Sequence, residues 1–174
     1  MQKKICLLGA FAVGKTSLTE RFAKSIFSEK YRTTVGVRIQ KKTVWFDEQA
    51  LDLIIWDLAG EDELVVLRTA YLRGASGYIL VADGTRPATL DKALELRKRA
   101  QSALGNVPFV LVVNKTDRLE DWAIEEMALN ELASDGWLVF RTSAKTGQGV
   151  EEAFVRLARA VACGETPDLA FRDR

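Results

Sequence analysis

The sequence predicts a three-layer α/β domain: a mostly parallel sheet of six strands with one antiparallel edge strand and helices on both faces. Five short apolar runs support this prediction, because strands buried on both faces are nearly continuous in Val, Ile and Leu. The runs lie at residues 5–8, 53–56, 78–82, 109–113 and 138–140. Helical patterns lie between them, and this alternation is typical of parallel sheets covered by helices. A ligand is expected at the carboxyl ends of the strands.

Local patterns place the remaining elements. Residues 37–46 alternate partly between apolar and polar side chains, which predicts an edge strand joined to the next strand by a turn at residues 47–50. Apolar stripes and capping signals mark the helices, and Gly105 is expected to end the second of them. The helices are expected to begin at Lys15, at residues 85–87, at Trp122 (ending at Ala133) and at Val150.

Length and composition limit the possible functions. The 174 residues suffice for one domain, expected at residues 1–163 and followed by a short disordered tail at 164–174. The 25 basic and 24 acidic residues nearly balance, which argues against nucleic acid or an anionic membrane as partner. The sequence has no histidine, so catalysis is expected to depend on positioning and electrostatics. Without a signal peptide, an apolar span or a terminal cysteine box, the protein is expected to be cytoplasmic and to carry no lipid anchor. We also expect it to be a monomer.

A glycine-framed loop follows the first apolar run. Residues 9–16 read G-x-x-x-x-G-K-T, and they stand between a predicted strand and a predicted helix. This context favours a phosphate cradle over a glycine turn that binds no nucleotide, since backbone N–H groups and the helix N-terminus then face one anion. Lys15 is expected to reach the β- and γ-phosphates, and the Thr16 hydroxyl to bind Mg²⁺. The predicted phosphate-binding residues are Ala12, Val13, Gly14, Lys15, Thr16 and Ser17.

Two further motifs indicate that the nucleotide carries guanine. Residues 114–117 read N-K-T-D after a buried strand, and the Asp117 carboxylate can accept from the N1–H and the amine of guanine. Adenine would present an unprotonated nitrogen there, which argues against a phosphate-loop kinase or ATPase. After the next strand, the Ala144 N–H is expected to meet the guanine oxygen. The predicted base-binding residues are Asn114, Lys115, Asp117, Ser143, Ala144 and Lys145.

With these motifs the chain resembles the Ras superfamily of small GTPases, and within it the Rab-like branch, from about residue 3 to 162. Segments similar to its two nucleotide-sensitive switches run from Tyr31 to Val37 and from Trp56 to Gly60, and residues 71–75 are similar to a Rab segment. The resemblance implies the phosphate-loop GTPase fold, GTP and GDP as ligands, Mg²⁺ as cofactor, and hydrolysis of GTP to GDP and phosphate.

The resemblance also implies roles for single residues. Phe27 would stack on guanine, Thr34 would close over Mg²⁺ and the γ-phosphate, and the Gly60 N–H would contact the γ-phosphate. Asp57 would hold the metal through water, which makes Thr16, Thr34 and Asp57 the predicted metal site. The predicted catalytic residues are Lys15, Thr34, Gly60 and Glu61.

Two residues depart from the family pattern where hydrolysis takes place. Most Ras-like proteins carry Gln where this chain has Glu61, and a carboxylate can accept from the attacking water but cannot donate to the transition state. Phe11 replaces a usual Gly or Ser, and its ring would crowd an arginine finger. We therefore expect slow hydrolysis; the alternative is that Glu61 turns to solvent and another group places the water. A protein that binds GTP with negligible hydrolysis and acts as an interaction module is the second hypothesis.

Partner proteins are expected at the two switches, the second taken from Glu61 to Arg73. The apolar run at residues 64–67 follows the switch II glycine, and it is either partly exposed for partners or half packed under the switch. Trp56 and Tyr71 match the Rab aromatic recognition surface, whereas Ile39 replaces an aromatic residue and Trp45 is a candidate substitute.

Overall fold

The computed structural model describes residues 1–23, 30–32, 37–58 and 69–165, with the backbone alone at 30–32. Several predicted functional residues lie outside these ranges, and they are Phe27, Thr34, Gly60, Glu61 and the apolar run at 64–67. Most of both switch segments and the tail from residue 166 also lie outside them.

The predicted fold class is confirmed: helices cover both faces of a mostly parallel sheet. The strands are β1 (Gln2–Gly9), β2 (Lys30–Arg32), β3 (Val37–Phe46), β4 (Gln49–Leu58), β5 (Gly77–Asp83), β6 (Phe109–Asn114) and β7 (Val139–Arg141). The helices are α1 (Lys15–Ala23), α2 (Ala88–Leu104), α3 (Glu126–Ser134) and α4 (Val150–Cys163). The strand order is β2-β3-β4-β1-β5-β6-β7, and β1 and β4 to β7 run parallel.

The antiparallel side of the sheet differs from the prediction in two respects. In the described ranges the sheet has seven strands, because β2 pairs with β3 and takes its place at the edge. A strand of three residues is too short to show alternation in sequence. The turn between β3 and β4 has two residues, since Phe46 already pairs with Gln49. Asp47 and Glu48 both have positive φ, 47° and 61°, as a tight hairpin turn requires.

The helices begin and end close to the predicted positions, with one exception. Gly105 ends α2 as predicted, with a φ of 71°. The prediction that the third helix begins at Trp122 is wrong, because α3 begins at Glu126. Tertiary contact explains the difference: the Trp122 ring lies against Gly84, where a Cβ would come within 2.0 Å of it. The N–H of Ala123 also donates to the Gly84 carbonyl at 2.8 Å. Residues 122 and 123 are therefore bound to the end of β5 and do not form the first turn of a helix.

The core forms two layers, one on each face of the sheet. On one face α1 and α4 meet through the stacked rings of Phe22 and Phe154, whose centroids lie 4.1 Å apart. On the other face α2 and α3 pack over Tyr78, Phe109 and their neighbours. The sheet therefore holds the carboxyl ends of β1, β4, β5 and β6 at one rigid edge, and the predicted site lies there. Among the helices of the described ranges, none is long and apolar enough to cross a membrane.

Candidate nucleotide-binding site

The loop between β1 and α1 has the backbone of a phosphate cradle. Gly9 needs to lack a side chain because a Cβ would lie 2.6 Å from the Val81 carbonyl oxygen. Gly14 has a φ of 103°, and its Cβ would lie 2.3 Å from Asn114 Nδ2. Ala12 also takes a positive φ of 59°, so the loop curls tightly before α1 begins. Such a curl makes successive N–H groups converge on one side, where an anion can bind them.

Two side chains from the end of β6 hold the outer side of this loop. Asn114 Nδ2 donates to the Val13 carbonyl and Lys115 Nζ to the Ala12 carbonyl, both at 3.1 Å. The peptide bonds are trans, and the C=O and the N–H of one trans peptide unit point in opposite directions. Carbonyls drawn towards β6 therefore direct the N–H groups of Val13 and Gly14 to the opposite, inner side.

Lys15 lies inside the curl rather than in solvent. Its side chain is only 5% exposed, and Nζ donates to the carbonyls of Gly9 (3.1 Å) and Ala10 (3.0 Å). Burial lowers the pKa of the ammonium to about 8; the Asp57 charge partly opposes this shift, and the Arg86 charge adds to it. An anion bound in the loop would favour the charged form again.

Thr16 and Asp57 bring two oxygen ligands together beside Lys15. The Thr16 hydroxyl donates to Asp57 Oδ2 at 2.6 Å, and Asp57 is 4% exposed at the end of β4. Burial raises the pKa of this carboxyl, with the Thr16 hydrogen bond and the Lys15 charge opposing the shift. A hydroxyl and a carboxylate are the oxygen donors that Mg²⁺ prefers, so this part of the predicted metal site fits the ion. Thr34, the third predicted ligand, lies outside the described ranges.

Asn114 also joins the phosphate loop to the loop after β7, which carries the second predicted base-binding motif. Its Oδ1 accepts from the Thr142 hydroxyl and from the Ala144 N–H, both at 3.1 Å. The prediction assigned this N–H to the oxygen of guanine, so a bound base would share it with Asn114. The residue is 2% exposed; its bonds to Val13 and Thr142 are buried, and its bond to Ala144 is partly buried.

The two loops predicted to bind the base support each other around the exposed Asp117 carboxylate. Ser143 Oγ donates to Asp117 Oδ1 at 2.6 Å, which lowers the pKa of Asp117 and keeps it an acceptor. Arg21 of α1 donates to the carbonyl of the exposed Lys145 at 2.8 Å. Ser143 thus orients the carboxylate through Oδ1, and both carboxylate oxygens retain lone pairs that can accept from a ligand.

Sequence reasoning missed one central residue, the fully buried Asp83 at the end of β5. Its Oδ2 lies 2.7 Å from Lys115 Nζ and 3.0 Å from Arg86 Nε, and Oδ1 accepts from Thr85. Burial alone would raise the pKa of Asp83, but the bonds from Lys115, Thr85 and Arg86 lower it to about 2. The sequence did contain a signal for Asp83. It ends a predicted strand that neighbours the strand ending at Asn114, so both residues lie at the carboxyl edge of the sheet.

Arg86 was likewise missed, although it touches the phosphate loop. Its Nη2 donates to the Phe11 carbonyl at 2.8 Å. The Phe11 ring itself is 62% exposed.

Of the residues predicted for partner recognition, Trp56, Tyr71 and Ile39 lie close together, whereas Trp45 lies apart. The rings of Trp56 and Tyr71 lie 6.5 Å apart, and Ile39 pairs with Trp56 across β3 and β4. Lys4 Nζ lies 3.6 Å from the centre of the Trp56 ring and donates to the Tyr71 carbonyl. Trp45 is 71% exposed near the far end of β3, away from this group.

The glycine loop ends in a lysine and a hydroxyl, and Asn114 joins this loop to a second one. These features define a phosphate-loop protein of the α/β class. Comparison with known sequences narrows the class, since the sequence model of the Ras family matches residues 4–163. The GTP-binding protein yptV2 of Volvox carteri is 37% identical over 161 residues, covering 91% of this chain and 74% of that protein. The Ras-related protein RAB1BV of Beta vulgaris is 36% identical (91% and 75%), and the Ras-related protein Rab-1 of Theileria parva 35% (91% and 73%). The chain belongs to the Ras family and is a Rab-like small GTPase.

Proposed function

We propose that this chain is a molecular switch that binds GTP or GDP with Mg²⁺ and hydrolyses GTP slowly. The observation that carries the proposal is the buried Asn114, which bonds to the phosphate loop and to the base-binding loop at once. One side chain would thereby fix the distance between the proposed phosphate site and the proposed base site. The proposed ligand contacts outside the described ranges are those of Phe27, Thr34 and Gly60.

The phosphates would bind where the inner N–H groups, Lys15 and the start of α1 converge. The partial positive charge of the helix N-terminus adds to that of the ammonium. Thr16 and Asp57, with the predicted Thr34, would hold Mg²⁺, which supplies neutralisation of phosphate charge when bound. The Thr16 hydroxyl would bind the ion through a lone pair while it still donates its proton to Asp57, which would act through water.

Selectivity for guanine would come from Asp117. Ser143 Oγ donates to one of its oxygens, and this bond lowers the pKa of the carboxyl further below its already acidic ordinary value. A carboxylate facing an acceptor nitrogen of adenine would leave both groups unpaired, which costs on the order of 10⁴-fold in affinity.

Slow hydrolysis is supported by residue types rather than by described geometry. Glu61 cannot donate a hydrogen bond to the transition state, and its charge would add to that of the γ-phosphate. The exposed Phe11 ring at the outer end of the loop favours the second candidate, an interaction module with negligible hydrolysis, because it would obstruct an incoming arginine.

Further features of the proposal concern the whole chain. We expect effectors and regulators at switch I, from Tyr31 to Val37, and at switch II, from Glu61 to Arg73. Residues 1–163 would form the nucleotide-binding domain and 164–174 a tail. A cytoplasmic, monomeric protein remains a prediction.

Nucleotide competition tests the proposal. Unlabelled GDP should displace a fluorescent GDP analogue from the protein, whereas ADP should not do so at a hundredfold higher concentration. Asp117→Asn should weaken GDP binding at least tenfold, since a donor replaces the acceptor. Asp121→Asn is the matched control, because Asp121 is exposed and pairs only with the nearby Arg118 in the described structure. Equal displacement by GDP and ADP would reject the guanine assignment.

A further inference from the structure

Arg86 stands in the short connection between β5 and α2, and its backbone is held firmly. Its N–H donates to the Asp83 carbonyl at 3.0 Å. Its own carbonyl accepts from the N–H of the buried Thr89 (3.0 Å) and from the Thr89 hydroxyl (2.6 Å). The neighbouring Pro87 restricts the chain further, with a φ of −55°. The side chain therefore starts from a fixed point.

The guanidinium bridges two groups of the nucleotide site. Nε lies 3.0 Å from Asp83 Oδ2, while Nη2 donates to the Phe11 carbonyl at 2.8 Å. Lys115 makes the parallel contact, with Nζ between the same Asp83 oxygen and the Ala12 carbonyl. One buried carboxylate thus orients two cations, and each cation holds one of two successive carbonyls of the phosphate loop.

Neutralising Asp83 does not explain the presence of Arg86. Lys115 lies closer to the carboxylate, at 2.7 Å, and already supplies one positive charge for its one negative charge. The second cation leaves the cluster with a net positive charge beside the loop. Arg86 also lies near enough to Lys15 for its charge to lower the pKa of that ammonium. An anion bound in the loop would balance this excess.

We propose that Arg86 is a positioning residue of the phosphate loop, which directs the Ala12 N–H towards the phosphates by holding the Phe11 carbonyl on the opposite side. The geometry is that of the trans peptide unit between Phe11 and Ala12, whose C=O and N–H point apart. With Lys115 and Asn114, Arg86 completes a series of three donors to three successive carbonyls. The inference rests on the proposed function, because the N–H needs a phosphate to bind.

Nucleotide dissociation from two Arg86 variants tests this role. Arg86→Ala removes both contacts, whereas Arg86→Lys keeps the charge but puts a single nitrogen on an unbranched stem in place of the planar fork whose Nε and Nη2 contact Asp83 and the Phe11 carbonyl separately. Release of a fluorescent GDP analogue should be about tenfold faster in Arg86→Ala, the effect of one misdirected N–H on a charged acceptor. Arg86→Lys should be accelerated several-fold while its melting temperature stays at the wild-type value. Arg118→Ala is the matched control, since Arg118 is exposed and bonded to Asp121.

The outcomes separate positioning from a structural role. If release follows the melting temperature across the variants, Arg86 only supports the fold, and if Arg86→Lys restores the wild-type release rate, its positive charge alone is enough; either result overturns the inference. Release within twofold of wild type in both variants also overturns it. Wild-type protein that binds no GDP at all would instead reject the proposed function.

Discussion

Replacing Asn114 by Ala should both lower the stability of the protein and weaken its binding of nucleotide. The substitution removes three hydrogen bonds, to the Val13 carbonyl, from the Thr142 hydroxyl and from the Ala144 N–H. All three lie at a residue that is 2% exposed, so their partners lose bonds where water has little access. At roughly 1 kcal/mol for each neutral bond, the free energy of unfolding should fall by about 3 kcal/mol. That is a large part of the ~5–15 kcal/mol of a typical domain.

Urea unfolding with and without saturating GDP measures both effects. Asn114→Ala should show a lower midpoint, and also a smaller stabilisation by GDP, because the phosphate loop and the base-binding loop lose their shared support. Asn130→Ala is the matched control, since Asn130 is exposed on α3. If Asn114→Ala equals this control in urea midpoint and in stabilisation by GDP, Asn114 does not stabilise the two loops that it joins.

Two further predictions follow from the same edge of the sheet. Gly14→Ala should abolish GDP binding in a fluorescence titration, because the new Cβ would lie 2.3 Å from Asn114 Nδ2. Gly105→Ala is the control and should bind GDP normally, since Gly105 also has a positive φ but its Cβ would have no neighbour within 4 Å. Asp83 has a folded pKa of about 2, below its ordinary 3.8, so its contribution to stability is full above pH 3.8 and is lost as the pH falls towards 2. The gap in urea midpoint between wild type and Asp83→Asn should therefore narrow over that range, and a gap that stays constant would contradict the assignment.

The sequence was most informative where a spacing has one physical use. The buried runs and the loop from Gly9 to Thr16 were predictable because a strand, a glycine curl and a lysine rarely coincide otherwise. Asn114 was predictable in place, although its bond to the Ala144 N–H was not. Hydrogen-bond partners depend on side-chain directions that spacing does not encode.

Other features depended on tertiary contacts that a local pattern cannot show. The roles of Asp83 and Arg86 are visible only when β5 and β6 lie side by side, because this pairing brings the two residues close to Lys115 and to the phosphate loop. The start of α3 was misjudged because Trp122 packs on Gly84 instead of continuing a helix.

Slow hydrolysis limited by Glu61 is tested by single-turnover hydrolysis of γ-³²P-labelled GTP with Mg²⁺, on wild type and on Glu61→Gln. Wild type should hydrolyse GTP well below the intrinsic Ras-like scale of ~10⁻⁴ s⁻¹, and Glu61→Gln should be faster, because the glutamine restores a donor to the transition state. A wild-type rate at or above that scale, unchanged by the substitution, would show that Glu61 does not limit hydrolysis.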